Sequence, residues 1–301
     1  MSSMEDNLRW SLLAAVAPIT WGATYYVTGA LLPADYPLWG GTLRALPAGL
    51  LLLLLLRRLP TGAWWWKSAV LGTLNMGLFF TLVYLAAQLL PSSVAATIMA
   101  MSPAVVMIFG WLIQRERSSL FAMLGAAVGF LGVVLMVWSG DGGLSAAGIG
   151  ASAGAMALSS LGFVLTKRWT AVSAPPTLPM LSWQLVLGGL LVLPFAAITE
   201  GAPPQMTGER LLGYGYIAIV ATVIAYLAWY TALRKIPLGT IGLVGLLNPV
   251  TGVILGVVFA AEHLTVAQSI GIALVLTGVV LGQPVVARAL TRRWRSPVST
   301  S

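Results

Sequence analysis

The sequence predicts an all-α integral membrane protein, ten transmembrane helices arranged as a 5+5 inverted-topology repeat. Three observations predict it. Of the 301 residues, 58% are hydrophobic and 8% are charged, against roughly 45–50% and 25% in soluble proteins. The basic residues recur at every second loop, as they do when alternate loops face the same side of a membrane. The chain also matches itself without gaps at a shift of 146 residues.

A mean hydropathy of +0.92 excludes a soluble enzyme, a disordered chain and a nucleic-acid-binding domain. The long continuous apolar runs exclude barrel strands, which are shorter and alternate in polarity. Cysteine is absent, so there is no disulfide framework, thiolate metal site or thiol nucleophile. The single His263 leaves no room for a multi-histidine metal site. No cofactor is expected. The partners are a small-molecule substrate and the lipid bilayer, with no nucleic acid, and the chain is read as a monomer.

A span needs about 20 apolar residues. The first runs over 8–31. Glu5 and Asp6 are wrong for a signal-peptide n-region, and Trp21, Tyr25 and Tyr26 are wrong for a cleavage site, so it is read as a retained helix. Pro33 and Pro37 separate it from 37–56, and Pro60 and Gly62 close that span. Trp64, Trp65 and Trp66 beside Lys67 form an aromatic belt at a membrane boundary, opening 67–89. Pro91 precedes 92–113, and Arg115-Glu116-Arg117 precedes the small-residue-rich 119–138. Beyond Asp141-Gly142-Gly143 come 144–166, then Pro175-Pro176 and 177–198, then Pro203-Pro204 and 210–233. Pro237 starts 238–260, and the last span, 265–287, leads into a basic tail.

With the N-terminus inside, the cytoplasmic segments hold Arg9, Arg57, Arg58, Lys67, Arg115, Arg117, Lys167, Arg168, Arg234, Lys235, Arg288, Arg292, Arg293 and Arg295. Only Arg210 lies in an outer loop, and Arg44 lies within a span. Both termini are therefore cytoplasmic, and the net charge of +8 is a membrane anchor, not a nucleic-acid footprint.

Residues 84–135 laid on 230–281 give 13 identities in 52 positions, among them Tyr84/Tyr230, Pro91/Pro237, Pro103/Pro249, Gly110/Gly256, Glu116/Glu262 and Gly125/Gly271. The repeat divides the chain into 1–140 and 141–301, five spans each. An odd number of spans turns the second half upside down in the membrane, the plan of many secondary transporters. Arg115-Glu116-Arg117 aligns with Ala261-Glu262-His263, so the glutamate stays while the fixed positive charges are lost.

The 5+5 plan, Trp21-Gly22, Ser102-Pro103, Asn248-Pro249 and the small-residue-rich fifth and tenth helices resemble EamA-type members of the drug/metabolite transporter superfamily over roughly 8–287. More narrowly, the chain resembles bacterial aromatic amino-acid exporters of the YddG type. The resemblance implies a central cavity walled by helices 1, 3, 4, 6, 8 and 9, with helices 5 and 10 at the periphery. Multidrug antiporters of the superfamily hold cationic drugs with a glutamate in helix 1. This chain has Trp21 in that region, so no cationic-drug antiport is expected.

Several residues are candidate substrate contacts. Trp21 lies mid-span with Tyr25 four residues on, and mid-bilayer rings of this kind need partners for their polar edges. Asn75 and Phe79 share one face of the third helix, Phe163 lies on the sixth, and Trp183 and Gln184 lie on the seventh. A buried amide binds a substrate or bridges two helices. Ser102 and Asn248 precede prolines that free backbone carbonyls. Arg44, the one charge well inside a span, sits roughly 12 Å along its helix, and either meets a substrate carboxylate or snorkels to the headgroups. Tyr84 and Tyr230 are candidate gates at opposite ends, the alternative being interfacial anchoring. The glycines of helices 5 and 10 serve ordinary packing or an interface between protomers or halves.

All eight acids are read as lying outside the spans, so no carboxylate proton relay is expected. An apolar, aromatic cavity with neutral polar groups suits small amphipathic metabolites, foremost aromatic and other neutral amino acids, exported across a bacterial inner membrane. The alternatives are a channel-like pore or an exporter of nucleobases or related compounds. A membrane enzyme would need paired acids, a metal cluster or a nucleophile with a base.

Overall fold

The computed structural model describes residues 2–138, 144–172, 174–233, 235, 238–283 and 286. Their helices lie where the apolar runs predict them: α1 Ser2–Leu31, α2 Pro37–Leu56, α3 Trp64–Leu89, α4 Ser92–Gln114 and α5 Leu120–Trp138. The second half of the chain supplies α6 Ala146–Thr170, α7 Thr177–Thr199, α8 Gly208–Ala232, α9 (Leu238–Gly245 and Leu247–Val258) and α10 Val266–Leu281. Seven of these, α2 to α8, are long and apolar enough to cross a membrane. The apolar stretches of α9 and α10, Leu243–Val258 and Val266–Leu281, are shorter. α1 begins three residues before Glu5, so Glu5 and Asp6 are helical, and Glu209 sits in the first turn of α8. These acids occupy helix ends, outside the spans read from the sequence. Arg234, Pro237, residues 141–143 and the arginines of the basic tail lie outside the described residues.

The prolines place two breaks. A helical proline clashes with the carbonyl four residues earlier. For Pro103 and Pro249 those residues are Met99 and Gly245, where the first segments of α4 and α9 end. The second segments start at Ser102 and Leu247. Two further irregularities are π-helical, Thr73–Gly77 in α3 and Tyr216–Ile224 in α8.

The ends of α4 and α9 share one device. Arg115 and Ala261 adopt left-handed backbone, with φ 59° and 51°. The next amide then bonds back to a glycine carbonyl, Glu116 N to Gly110 at 3.3 Å and Glu262 N to Gly256 at 3.0 Å. This satisfies carbonyls that every helix C-terminus leaves open.

Helix α2 packs on α7, α5 on α10, α1 on α8 and α9, and α3 and α4 on α6. Two tryptophans fasten α2 to α7. Trp39 Nε1 donates to Gly201 O (3.1 Å), and Trp183 Nε1 donates to Arg58 O (2.6 Å). The small residues of α5 and α10 meet within the chain, where Gly125 faces Gly278 and Gly132 faces Gly271. That contact assigns them to packing between these two helices.

The two ends of the bundle differ. At one end sit Arg58, Lys67, Trp169, Lys167 and Glu116, with Lys67 against the faces of Trp64, Trp66 and Trp169. Trp65 and Trp66 are half-exposed there, as a boundary belt requires, while Trp64 is buried. At the other end, acids and amides tie the helix tips together. Glu200 accepts from Leu38 N and Trp39 N, Gln88 donates to Thr28 O and Leu32 O, and Glu262 accepts from Ser92 N, Ser93 N and Ser93 Oγ. These are called below the basic end and the tied end.

Candidate functional site

The site grows from one face of α8. Its sequence Ala225-Tyr226-Leu227-Ala228-Trp229-Tyr230 puts three aromatic rings three and four residues apart, on one helical face. Trp21 of α1 meets them, 5.2 Å from Tyr226 and 5.6 Å from Trp229 between ring centroids. Tyr226 stacks on Tyr230 at 5.9 Å. All four rings are partly exposed although they lie within the bundle.

Hydrogen bonds fix this wall in place. Trp21 Nε1 donates to Ala221 O (3.0 Å), and Tyr216 OH donates to Thr20 O (2.9 Å). Both α8 partners lie in its π-helical stretch, and such bulges frequently mark functional sites. Gly22, beside Trp21, lets the backbone of Asn248 approach, because a Cβ there would strike Asn248 O. Asn248 Oδ1 is buried without a hydrogen-bond partner among the described residues. An unsatisfied buried acceptor carries a cost of about 1–3 kcal/mol.

Arg44 does not snorkel. Its residue is 5% exposed, its Nε donates to Thr222 Oγ1 at 3.2 Å, and its guanidinium lies 4.0 Å over the Phe80 ring. The Thr222 proton is committed to Ile217 O (2.7 Å), which leaves the oxygen lone pairs for Arg44. The phenols of Tyr226, Tyr25 and Tyr216 lie within electrostatic reach of the guanidinium. Phe80, under the guanidinium, belongs to the cluster against which Tyr226 and Tyr230 pack, so Arg44 adjoins the wall that Trp21 joins through Tyr226.

The other expected residues fall elsewhere. Asn75 Nδ2 donates to Gln184 Oε1 (3.1 Å), a bridge between α3 and α7. Replacing Asn75 with alanine is expected to cost about 1–3 kcal/mol by stranding the Gln184 oxygen. Adding Gln184→Leu is expected to recover part of that loss in thermal unfolding. Phe79 packs beside Phe80 (5.6 Å) at the edge of the group. Ser102 Oγ donates back to Met99 O (2.6 Å) at the α4 break, apart from the aromatic wall. Phe163 is 59% exposed and makes no ring contact among the described residues. Trp183 lines a crevice at the basic end with Arg58, Trp64 and Pro176. Tyr84 is buried at the tied end, where its hydroxyl donates to Pro33 O (2.6 Å) and lies 3.5 Å from Tyr214 OH. Tyr230 joins the aromatic wall and makes no hydrogen bond through its hydroxyl among the described residues.

The sequence reading missed Tyr226, Trp229, Tyr216 and Thr222. The spacing of Tyr226, Trp229 and Tyr230 was the available signal.

A bundle of long apolar helices around a partly open aromatic group defines a multi-pass membrane protein. The chain belongs to the EamA-like transporter family, whose model matches residues 8–138 and again 146–282. It is thus a membrane transporter. It is 36% identical over 272 residues to protein PecM of Dickeya dadantii (strain 3937), covering 90% of this chain and 91% of that one. It is 28% identical over 275 residues to the inner membrane transporter YedA of Escherichia coli (strain K12), covering 87% of each. It is 25% identical over 279 residues to the transporter YvbV of Bacillus subtilis (strain 168), covering 91% of each. A solved crystal structure aligns with 96% of this chain and all of its own at a TM-score of 0.63 and 21% identity, a likeness of fold alone.

Proposed function

We propose that the chain is a secondary transporter that exports small amphipathic metabolites across the bacterial inner membrane. Its solutes carry an apolar or aromatic body and a carboxylate, the class to which aromatic and other neutral amino acids belong. The path is a central cavity between two inverted five-helix halves, used by alternating access, with both termini cytoplasmic. The observation that carries this reading is the group of Trp21, Tyr226, Trp229 and Tyr230 beside Arg44. Aromatic faces take up a solute's ring, and a guanidinium takes up its carboxylate.

The inverted plan draws support from features 146 residues apart, the breaks near Ala100 and Leu246 and the left-handed residues Arg115 and Ala261, and from the π-helical stretches of α3 and α8, which overlap at that shift. The narrower kinship with aromatic amino-acid exporters rests on the sequence resemblance and on the ring group. Tyr84 acts as a closed gate at the tied end in this reading, and Tyr230 as its counterpart toward the basic end.

The test is reconstitution into liposomes with a panel of amino acids, aromatic carboxylates and nucleobases. Trp21→Ala is expected to reduce flux of the preferred solute roughly two- to tenfold, since one aromatic pair contributes about 0.5–1.5 kcal/mol beyond its buried area. Tyr226→Ala is expected to shift preference among ring sizes. If both variants carry the whole panel at the parent rate, the aromatic wall is not the path.

A further inference from the structure

Within the proposed transport reading, on which this step rests, charge balance narrows the solute. Arg44 is the only charged side chain among the buried described residues. Its one hydrogen bond there uses Nε, and a guanidinium has five N–H donors, so four lack an acceptor among the described residues. The Phe80 face and the Thr222 oxygen soften the charge but do not neutralise it.

Every acid whose side chain is described is engaged or exposed elsewhere. Glu200 and Glu262 hold helix tips, Glu116 pairs with Lys167, and Asp35 and Glu209 are exposed. None is placed to receive a substrate ammonium. An uncompensated charge in a low-dielectric interior is costly, and a ligand of opposite charge removes that cost. A monoanion makes the loaded site electroneutral. A zwitterion leaves one buried positive charge, and a cation leaves two.

We infer that the preferred solute is an organic monoanion, an apolar or aromatic body with one carboxylate and no ammonium, and that Arg44 sets this preference. The same charge supplies the driving force. An inside-negative potential expels an anion with no proton relay, in keeping with spans whose interior holds no acid among the described residues. Each cycle moves one negative charge outward. A potential of 100 mV then supports a roughly 50-fold concentration ratio, from about 2.3 kcal/mol per charge.

Three solutes with one carbon skeleton test it in proteoliposomes: 3-phenylpropanoate (anion), phenylalanine (zwitterion) and 2-phenylethylamine (cation). Potassium gradients with valinomycin set the potential, and protein-free vesicles set the passive background. Protein-dependent efflux of 3-phenylpropanoate is expected to exceed that of phenylalanine roughly tenfold or more and to quicken when the lumen is made negative. Arg44→Gln is expected to bring anion flux to background, whereas Arg44→Lys keeps the anion-over-zwitterion order. Phenylalanine carried as well as the anion, anion efflux indifferent to potential, or an unchanged order in Arg44→Gln overturns the inference and leaves the transport reading standing. No protein-dependent flux of any of the three, nor of any panel member, overturns both. If Arg44→Gln does not fold, the parent protein's ranking and voltage response still decide.

Discussion

Glu262→Ala is expected to loosen the tied end, lowering stability by about 2–4 kcal/mol and exposing the start of α4. The glutamate accepts from two backbone amides and one hydroxyl of Ser92 and Ser93. Those amides are among the donors a helix N-terminus leaves open, and an anion there also meets the positive end of the helix dipole. Alanine strands both amides. Glutamine keeps one acceptor oxygen but loses the charge, and charge-assisted bonds are roughly twice as strong as neutral ones, so Glu262→Gln is expected to fall between. Because the chain contains no cysteine, a single Ala95→Cys gives an unambiguous probe. Ala95 is fully buried just beyond the bonded turn. Its labelling rate with a soluble maleimide is expected to rise about tenfold for each 1.4 kcal/mol lost from local closure. Equal rates in parent, glutamine and alanine forms would show that Glu262 does not hold the tied end shut.

Much of this device was written in the sequence, though its purpose was not. The match of Gly110 with Gly256 and of Glu116 with Glu262 stood out because such residues have positional meaning. Their reason is geometric. A left-handed residue turns the chain at Arg115 and Ala261, and the following amide bonds back to the glycine. At Gly256 the absent Cβ leaves room for the Glu262 carboxylate to reach α4. Nothing in the linear pattern told which partner each glutamate would find. Glu116 meets Lys167 in an exposed ion pair, and Glu262 meets a helix tip.

The site was legible only in part, because residue type does not reveal which face of a helix turns inward. Trp21 and Arg44 stand out by polarity at mid-span, and the structure brings them to one region, Trp21 against Tyr226 and Arg44 over Phe80 in the cluster that Tyr226 packs on. Trp183 has the same chemistry as Trp21, and each indole N–H meets a backbone carbonyl, but that of Trp183 lies at the basic end on Arg58, away from the aromatic wall. Its counterpart Trp39 bonds the Gly201 carbonyl at the other end. The two tryptophans lie 144 residues apart, outside the repeat's aligned window and two residues off its register, so the repeat does not pair them. The sequence does not decide between ligand and bridge for Asn75, and the Gln184 carbonyl oxygen receives its amide. The break positions follow from the prolines once the clash is counted back four residues.

Gly132→Leu is expected to be the most damaging single change in the fold, with a loss of about 3 kcal/mol or more. Overpacking a core ordinarily costs about 1–3 kcal/mol because neighbouring side chains can rotate away. At Gly132 they cannot. A Cβ there would lie 2.6 Å from Gly271 O and 2.9 Å from Val275 N, both backbone atoms of α10. The contact is reciprocal, since a Cβ on Gly271 would lie 2.6 Å from Gly132 O and 3.0 Å from Met136 N. In lipid no hydrophobic effect drives two helices together, so their adhesion depends on close backbone approach through small residues. Pushing α5 from α10 by a side chain removes that approach along the whole seam, including Gly125 against Gly278. Thermal unfolding in detergent, followed by a size-exclusion profile, measures it. The expected result is an early transition for Gly132→Leu and a milder one for Gly150→Leu, where a Cβ meets nothing within 4 Å. A seam between protomers would behave otherwise, keeping the parent's unfolding temperature while an oligomer dissociates.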